Sequence, residues 1–335
     1  MKYPALLVTD LHLTAAPSTE YRWSLFPWLA EQIKAEKIKT LLILGDLTDA
    51  KDNHSAELTN RIVKAINSLP VADIRILCGN HDWLKKGQEY FRFLNFLPNV
   101  EFITSPTEDV DPEGRDPSAY FLPYSKEPAK DWKGMDFSHY DLLFMHQTVS
   151  GAVASNGQKM EGEELPPLNA IRVYSGDIHV PQVIGGLTYV GSPYHVHFGD
   201  NFKPRVILLD RDGKQHNLFF ETISRIVVKV SSLKELQRKQ FRAGDQVKLR
   251  VELAEADKHQ WAKIRREALA ILAEQGVEVH GVELNVLRAL KRVEVGGRPT
   301  RASFSPQESV LRFVEREELG AEVLDAALDI LEQSK

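Results

Sequence analysis

Five short polar segments, each placed where a run of apolar residues ends, constrain this chain more than any other feature. The apolar runs have the length and composition of buried strands, as in Leu41-Leu42-Ile43-Leu44. In open α/β sheets, ligands bind at the carboxyl ends of such strands. We therefore expect the five segments to form one site in one domain. They are Asp10-Leu11-His12, Gly45-Asp46, Gly79-Asn80-His81-Asp82, His146 and Gly176-Asp177-Ile178-His179.

The residue types in these segments predict a site for divalent cations. Asp10 and His12 lie two apart on a segment expected to be extended, so their side chains would point the same way and hold one cation. Asp46 is a candidate to bridge two metals. The mixture of carboxylate, imidazole and amide oxygen suits Mn²⁺, Fe²⁺ or Zn²⁺ better than Ca²⁺, and the ligand set contains no cysteine. Two metals about 4 Å apart can activate water and clamp a phosphoryl group, so phosphoester hydrolysis is the expected reaction class.

Several neighbouring residues are candidates for catalysis or for substrate contact. His81 would protonate the leaving oxygen if Asp82 orients its ring, although a single histidine in a loop is more often structural. Asp49 equally suits an acidic position ahead of a helix. Four residues are expected near the substrate because they lie close to the segments in sequence or share a face beside them: Asp49, His54, His195 and His197.

The order of apolar and amphipathic stretches predicts an α/β fold. From residue 5 to about 82, strands alternate with helices at about 20–36 and 55–68, which indicates a βαβαβ unit with a parallel sheet. Strands dominate from about residue 100, so two sheets packed between helices would accommodate both halves. Residues 147–168 are predicted to be a long loop that borders the site. We expect a main domain over 1–221, a smaller α/β domain over 222–300, and two amphipathic helices within 301–335.

Composition limits the functional classes that are compatible with the chain. Its 335 residues include one cysteine, Cys78, which excludes an internal disulfide, and no apolar run is long enough to span a bilayer. Met1 runs directly into the first strand, which leaves no room for a signal peptide, so we expect a cytoplasmic protein without a membrane partner. The net charge is −5, yet residues 225–301 hold 17 Lys+Arg against 10 Asp+Glu. That basic segment equally fits a solvated surface and a surface that binds DNA phosphates.

The five segments, in this order, resemble the motifs of calcineurin-like metallophosphoesterases. The stretch from Gly176 to Gln182, followed by Val190-Gly191-Ser192-Pro193 and Phe198-Gly199-Asp200, is similar to the nuclease subunit of SbcCD-type double-strand-break repair complexes. The likeness covers roughly residues 5–210. It implies the αββα sandwich of that family, a smaller capping domain and C-terminal helices. It also implies His81 as general acid, one metal held by Asp10, His12, Asp46 and His179, and a second held by Asp46, Asn80, His146 and Asp177.

One position departs from the family pattern, which usually has Gly-His-x-His where this chain has Gly176-Asp177-Ile178-His179. A carboxylate in place of an imidazole adds negative charge at the second metal. That change favours a hard cation, with Mn²⁺ expected first and Mg²⁺ second. The alternative is that the second site is weak.

The resemblance implies a DNA exonuclease or endonuclease in repair and recombination. It would act as a homodimer with an SMC-like ATPase of the SbcC type, which would dock on the C-terminal helices; those helices equally suit packing on the chain's own core. Four basic residues are expected to contact the DNA backbone: Arg288, Lys291, Arg292 and Arg298. The alternative is a small-molecule phosphodiesterase or phosphatase that acts on nucleotides or lipid headgroups.

Overall fold

The predicted sandwich of two sheets is present in the structure, a computed structural model that describes residues 1–51, 53–83, 85, 87–109, 118–164 and 171–287, together with Val310 and Val314. The strands are β1 Ala5–Val8, β2 Thr40–Ile43, β3 Asp73–Leu77, β4 Val100–Ile103, β5 Thr107–Glu108, β6 Ala119–Leu122, β7 Leu142–His146, β8 Arg172–Gly176, β9 Gln182–Ile184, β10 Leu187–Tyr189, β11 Val206–Leu209, β12 Gln215–Leu218, β13 Arg225–Val230, β14 Gln246–Ala254 and β15 Glu278–Leu287. The α-helices are α1 Leu25–Ala35, α2 Ala56–Asn67, α3 Pro128–Asp131, α4 Leu233–Arg238 and α5 Trp261–Glu274, and 3₁₀ turns occupy Pro17–Ser24, Tyr90–Phe96 and Glu255–Gln260.

The first sheet contains the predicted βαβαβ unit. Its strand order is β12-β11-β1-β2-β3-β4, and β1 to β4 are parallel to their neighbours in this set. Helices α1 and α2 cover its outer face, where Leu29, Ile33 and Ile62 are buried against strand residues such as Leu41. The predicted helix at about 20–36 is divided, because the chain forms a 3₁₀ turn up to Ser24 before α1 begins.

The second sheet faces the inner side of the first. Its order is β5-β6-β7-β8-β10-β9, with β6, β7, β8 and β10 parallel. Leu7 and Leu42 of the first sheet and Phe121 and Phe144 of the second share one buried apolar core, which accounts for the continuous apolar runs in these strands. On the outer face of this sheet, α3 is the one helix of the described residues between β5 and β11. Side chains such as Trp132 and Met160 cover much of the rest.

The ends of the parallel strands of both sheets lie together. In the first sheet Val8 pairs with Ile43, and in the second His146 pairs with Gly176. All four residues stand at the carboxyl ends of their strands, and each is followed by, or is itself, one of the polar segments predicted to form the site. This common edge is what brings residues from positions 10 to 179 into one place.

Residues 225–287 form a third, three-stranded sheet, β13-β14-β15, in which all strands are parallel. Helices α4 and α5 connect these strands and bury Leu236, Ala268 and Leu272 against the sheet. Strand β15 was not assigned from the sequence. Residues Met1–Leu287 form one compact unit and Arg288–Lys335 a second, of which two helical residues are described. The predicted boundaries at residues 221 and 300 stay predictions.

No helix in the part of the chain that the structure describes is both long enough and apolar enough to cross a membrane.

Candidate metal centre

The backbone turns sharply at the strand ends that carry the predicted ligands. Four of these residues have a left-handed φ: 53° at Asp10, 44° at His12, 54° at Asp46 and 81° at Asp177. Such values are uncommon for residues other than glycine and gather at functional sites. The expectation that Asp10 and His12 lie on an extended segment is therefore wrong. The strand ends at Val8, and the turn rather than the alternation of a strand directs both side chains inward.

The first group of donors consists of Asp10, His12 and His179, each of which offers an atom within 4.8 Å of the others. The Nε2 atoms of His12 and His179 are only 2.9 Å apart. All three side chains are largely or fully buried, so little water can solvate them. This group corresponds to the first metal site that the family resemblance implies.

The second group surrounds His146, which is fully buried at the end of β7. Its Nε2 atom lies 3.2 Å from Asn80 Oδ1, 3.4 Å from Asp46 Oδ1 and 3.8 Å from Asp177 Oδ1. Its Nδ1 atom donates a hydrogen bond of 2.6 Å to the carbonyl of Leu44. That bond fixes the tautomer and turns the Nε2 lone pair toward the cluster, as in many metal-binding histidines.

Asp46 lies between the two groups. Its Oδ1 atom faces His146, whereas its Oδ2 atom is 3.6 Å from His12 Nε2. Oδ1 also accepts a hydrogen bond of 2.9 Å from the backbone amide of His81, which holds the carboxylate in position. One buried carboxylate therefore presents one oxygen to each donor group, which is the geometry expected of a ligand that bridges two cations.

The donor set fits a pair of divalent cations. Asp10 Oδ2 is buried and has no hydrogen-bond partner among the residues described, a costly arrangement for a carboxylate unless a cation satisfies it. Burial, with a contribution from Asp46, raises the pKa of Asp10 to about 7. Burial and the neighbouring His12 lower the pKa of His179 to about 3, which leaves its imidazole neutral and able to ligate. Carboxylate, imidazole and amide oxygen together suit Mn²⁺, Fe²⁺ or Zn²⁺.

We expect cation binding to weaken in acid because protons occupy the same atoms. With a pKa of about 7, Asp10 is mostly protonated at pH 6 and mostly ionised at pH 8. Burial alone would lower the pKa of His146, but Asp46 raises it well above the usual value. A cation must displace these protons, so Mn²⁺ affinity should be at least about tenfold weaker at pH 6 than at pH 7.5, the figure that the Asp10 proton alone accounts for. Calorimetric titrations in two buffers of different ionisation enthalpy would detect the protons released at pH 6, and a pH-independent affinity would contradict the prediction.

Three glycines of the sequence motifs permit the close approach of these strand ends. A Cβ atom at Gly45 would lie within 3.0 Å of the His146 ring, and one at Gly79 would collide with the side chain and backbone of Asp46. A Cβ atom at Gly176 would lie within 3.0 Å of Thr9, of the Leu44 carbonyl and of His146. Gly45 also has φ of 91°, where glycine carries no steric penalty. The glycines that precede Asp46, Asn80 and Asp177 thus leave room for a candidate ligand from another strand.

Asp82 has a different task from the one expected. The sequence suggested that it orients the His81 ring, but its carboxylate accepts hydrogen bonds from three backbone amides, those of Asp46, Leu47 and Gly79, at 2.8–2.9 Å. It is fully buried, and it holds the end of β3 against the turn that carries Asp46. The His81 Nδ1 atom instead lies 3.3 Å from the carbonyl of Asp49. Asp82 is therefore a positioning residue for the ligand-bearing backbone.

Asp49, predicted as a substrate contact, lies against a predicted ligand. Its Oδ1 atom is 2.6 Å from His12 Nδ1, so it can orient the imidazole from the side opposite the cluster. Arg22, which was not predicted from the sequence as a site residue, supports both His12 and Asp49. Its side chain is buried, donates to the carbonyls of His12 and Val196, and lies 3.6 Å from Asp49 Oδ2. No local motif marks Arg22, because its partners are distant in sequence.

Of the three other histidines expected near the substrate, one reaches the cluster. The His197 ring stacks on that of His179 with centroids 5.3 Å apart. The Nε2 atom of His54 is hydrogen-bonded to the Thr48 hydroxyl at 2.7 Å, and its ring stacks on that of Tyr90. The Nε2 atom of His195 lies 3.0 Å from the carbonyl oxygen of Phe202. Those two histidines stabilise local packing.

Asp177, the departure from the family pattern, is oriented by its surroundings. The hydroxyl of Thr148 donates to its Oδ2 atom, its backbone amide donates to Asp10 Oδ1 at 3.1 Å, and its Oδ1 atom is the one that faces His146. The carboxylate is thus held at the second donor group.

The four predicted DNA contacts, Arg288, Lys291, Arg292 and Arg298, lie outside the described residues.

A family comparison agrees with this geometry. The family model for calcineurin-like phosphoesterases matches residues 3–181, which include every donor described above. Among solved structures, the chain is similar to the nuclease MPE of Pseudomonas putida, at 15% sequence identity and a TM-score of 0.30, over 64% of this chain and 87% of that one. No curated protein matches the sequence significantly.

Proposed function

Because this chain belongs to the calcineurin-like phosphoesterase family, for which a metal-dependent phosphoesterase activity is expected, we propose that it hydrolyses the phosphodiester bonds of DNA. The position of Asp46 is the main support for a two-metal mechanism. The two oxygens of Asp46 face two separate groups of buried donors, the first around His12 and the second around His146. Such a bridge is what a two-metal phosphoesterase requires.

When bound, a divalent pair supplies a nucleophile from water and neutralises charge on the phosphoryl group. The residues of this chain orient the two donor groups and donate a proton. Asp46 keeps the two groups in register, and the hydrogen bond from His146 Nδ1 to the Leu44 carbonyl orients the second. His81 lies at the edge of the cluster, with its ring 5.0 Å from that of His12 and its backbone amide fixed to Asp46. From there it can give a proton to the leaving oxygen.

Two features support DNA as the substrate. The motifs between Gly176 and Asp200 are similar to those of SbcCD-type nucleases, and residues 225–301 have an excess of seven basic over acidic side chains. Within that segment, Lys229 is exposed on the third sheet, whereas the exposed Arg250 is paired with Glu283 at 2.9 Å. Contacts of this kind neutralise phosphates without reading bases, so binding should weaken steeply with salt. An affinity for linear DNA that does not change with salt would contradict this role of the segment.

The second candidate is a small-molecule phosphodiesterase or phosphatase, because the same centre would hydrolyse nucleotides or lipid headgroups. A substrate panel separates the two. The protein is incubated with Mn²⁺ or Mg²⁺ and with end-labelled linear duplex, circular single-stranded DNA or a small diester, beside Asp46→Ala and His81→Ala variants. If the wild type cleaves DNA and both variants do not, the result supports the nuclease proposal. Cleavage of the small diester alone, with no DNA cleaved under any condition, would replace it with the second candidate.

We further propose a homodimer that acts with an SMC-like ATPase of the SbcC type, with Mn²⁺ as the working metal, in repair or recombination. The support is the sequence resemblance and the apolar pattern of residues 301–335, most of which lie outside the described residues. Removal of residues 303–335 should abolish binding of the ATPase while the rest of the chain stays folded. Global unfolding of the shortened chain would instead show that the segment packs on its own core. A cytoplasmic location stays a prediction.

A further inference from the structure

A cavity of about 510 Å³ opens beside the metal centre, between the ends of β3 and β6. Its size lies within the range of pockets that hold small organic ligands. Two lining residues connect it to the centre. Trp83 directly follows Asp82, and the ring of Tyr124 lies 6.5 Å from that of His146. The cavity and the cluster are therefore neighbours at the carboxyl ends of these strands.

The lining combines aromatic rings with cations. The aromatic rings are those of Trp83, Tyr124 and Trp132, and the cations are those of Lys85, Lys126 and Lys130. All three rings are partly exposed, so a ligand can reach them. The rings of Trp83 and Tyr124 lie 6.1 Å apart and are tilted by 55°.

The positions of two lysines indicate where charge is available. Lys126 is exposed and its ammonium lies 5.0 Å from the centre of the Trp83 ring, whereas Lys130 is engaged by Glu127 at 3.0 Å. Lys85 is exposed as well. An aromatic face next to an exposed ammonium is the combination with which proteins hold the bases and backbone of single-stranded nucleic acids.

We propose that this cavity binds an unpaired nucleobase of the strand whose phosphate is cleaved, with Trp83 as the stacking surface and Lys126 beside the adjoining phosphate. The inference rests on the proposed function, because it assumes a nucleic-acid substrate at the metal centre. In an intact duplex each base is covered by its neighbours and its partner, so a base must leave the stack before it can lie on a protein ring. The cavity therefore selects frayed ends and single strands over paired DNA.

The test compares two oligonucleotides that share a backbone and differ in their bases. The first is oligo(dT), and the second is an abasic strand of equal length; both are hydrolysed in Mn²⁺. The wild-type protein should have a kcat/KM at least about tenfold higher on oligo(dT), because stacking of one base contributes on that scale. Trp83→Leu should reduce this preference at least about fivefold, and Trp83→Tyr should keep most of it. Phe96→Leu is the matched control, since Phe96 is an aromatic residue with 91% of its surface exposed outside the cavity.

A lysine substitution and a binding measurement test the cavity independently of Trp83→Leu. Lys126→Ala alters an exposed side chain, so it tests the cavity even if Trp83→Leu fails to fold, and it should raise KM for oligo(dT) several-fold. Quenching of tryptophan fluorescence by oligo(dT) in EDTA should occur in the wild type and decrease in Trp83→Tyr. Equal hydrolysis of both strands by the wild type, or a preference that neither substitution changes, would overturn the inference while the nuclease proposal stands. Hydrolysis of a small diester without cleavage of either strand would overturn the nuclease proposal itself.

Discussion

Asp46→Asn is expected to remove both metals from the centre and to lower phosphodiester hydrolysis by about 10³-fold or more. The reason is that the two oxygens of Asp46 serve the His12 group and the His146 group at once. An amide offers one weaker oxygen and turns an NH₂ group toward the other donors. Asparagine tolerates the left-handed φ of 54° at this position, so the turn should keep its shape.

The measurements are bound Mn²⁺ per chain after gel filtration and kcat/KM on a small phosphodiester. Asp212→Asn is the matched control, because Asp212 is an exposed residue of a turn far from the cluster in sequence, and it should bind and hydrolyse as the wild type does. Circular dichroism establishes that both variants fold. Retention of one full equivalent of metal by Asp46→Asn would show that the two groups are independent, which contradicts the bridging role.

Gly176→Ala is expected to destabilise the protein by about 3 kcal/mol and to disrupt the second donor group. The added Cβ atom would lie within 3.0 Å of Thr9 Oγ1, the carbonyl oxygen of Leu44 and His146 Nδ1. Leu44 contributes a backbone atom, which cannot rotate away as a side chain would. The strand ends of the two sheets would have to separate, and the hydrogen bond between His146 and Leu44 spans that contact.

Urea unfolding with an unchanged m-value would give the difference in free energy of unfolding, and a metal titration would report the site. Gly281→Ala is the control, since Gly281 also lies in a strand and has no left-handed φ, and a methyl group there would meet no atom of the described residues within 4 Å. It should change the free energy of unfolding by less than about 1 kcal/mol. If Gly176→Ala unfolds at the same urea concentration as the wild type and binds two metals, the close approach at this glycine has no energetic importance.

The sequence was sufficient to predict which candidate donors the structure brings together, because each lies at or just after the end of a predicted strand. Leu41 to Leu44 is a continuous apolar run, and such a run identifies a strand buried on both faces and hence the edge at which Asp46 emerges. A similar apolar run ends at His146, whereas Asp177 follows a strand of mixed composition, Arg172–Gly176. The parallel βαβαβ unit and the presence of two sheets were predicted from the alternating start and the later succession of strands, and the αββα arrangement from the family resemblance, whereas the strand order was not predicted.

Local pattern could not give the conformation of the turns or the residues that support them. The left-handed backbone at Asp10 and His12 depends on contacts with neighbouring strands, such as the hydrogen bond from the Asp10 amide to the Gly45 carbonyl. The role of Asp82 depends on where the amides of Asp46 and Leu47 point. Its position next to His81 in the sequence suggested a catalytic pair. Residues that are adjacent in sequence need not have side chains that contact each other, and these two side chains have different partners.

The strand-end segments by themselves determined which residues are candidate metal ligands, since the carboxyl ends of parallel strands meet at one edge of a sheet. Only the tertiary structure decided how these residues divide into two groups around Asp46, that Arg22 and Asp49 hold His12, and that Trp83 and Tyr124 border a cavity beside the cluster. The physical reason is that the relevant distances join residues up to 167 positions apart. Such distances depend on how two sheets pack, which no local sequence pattern specifies.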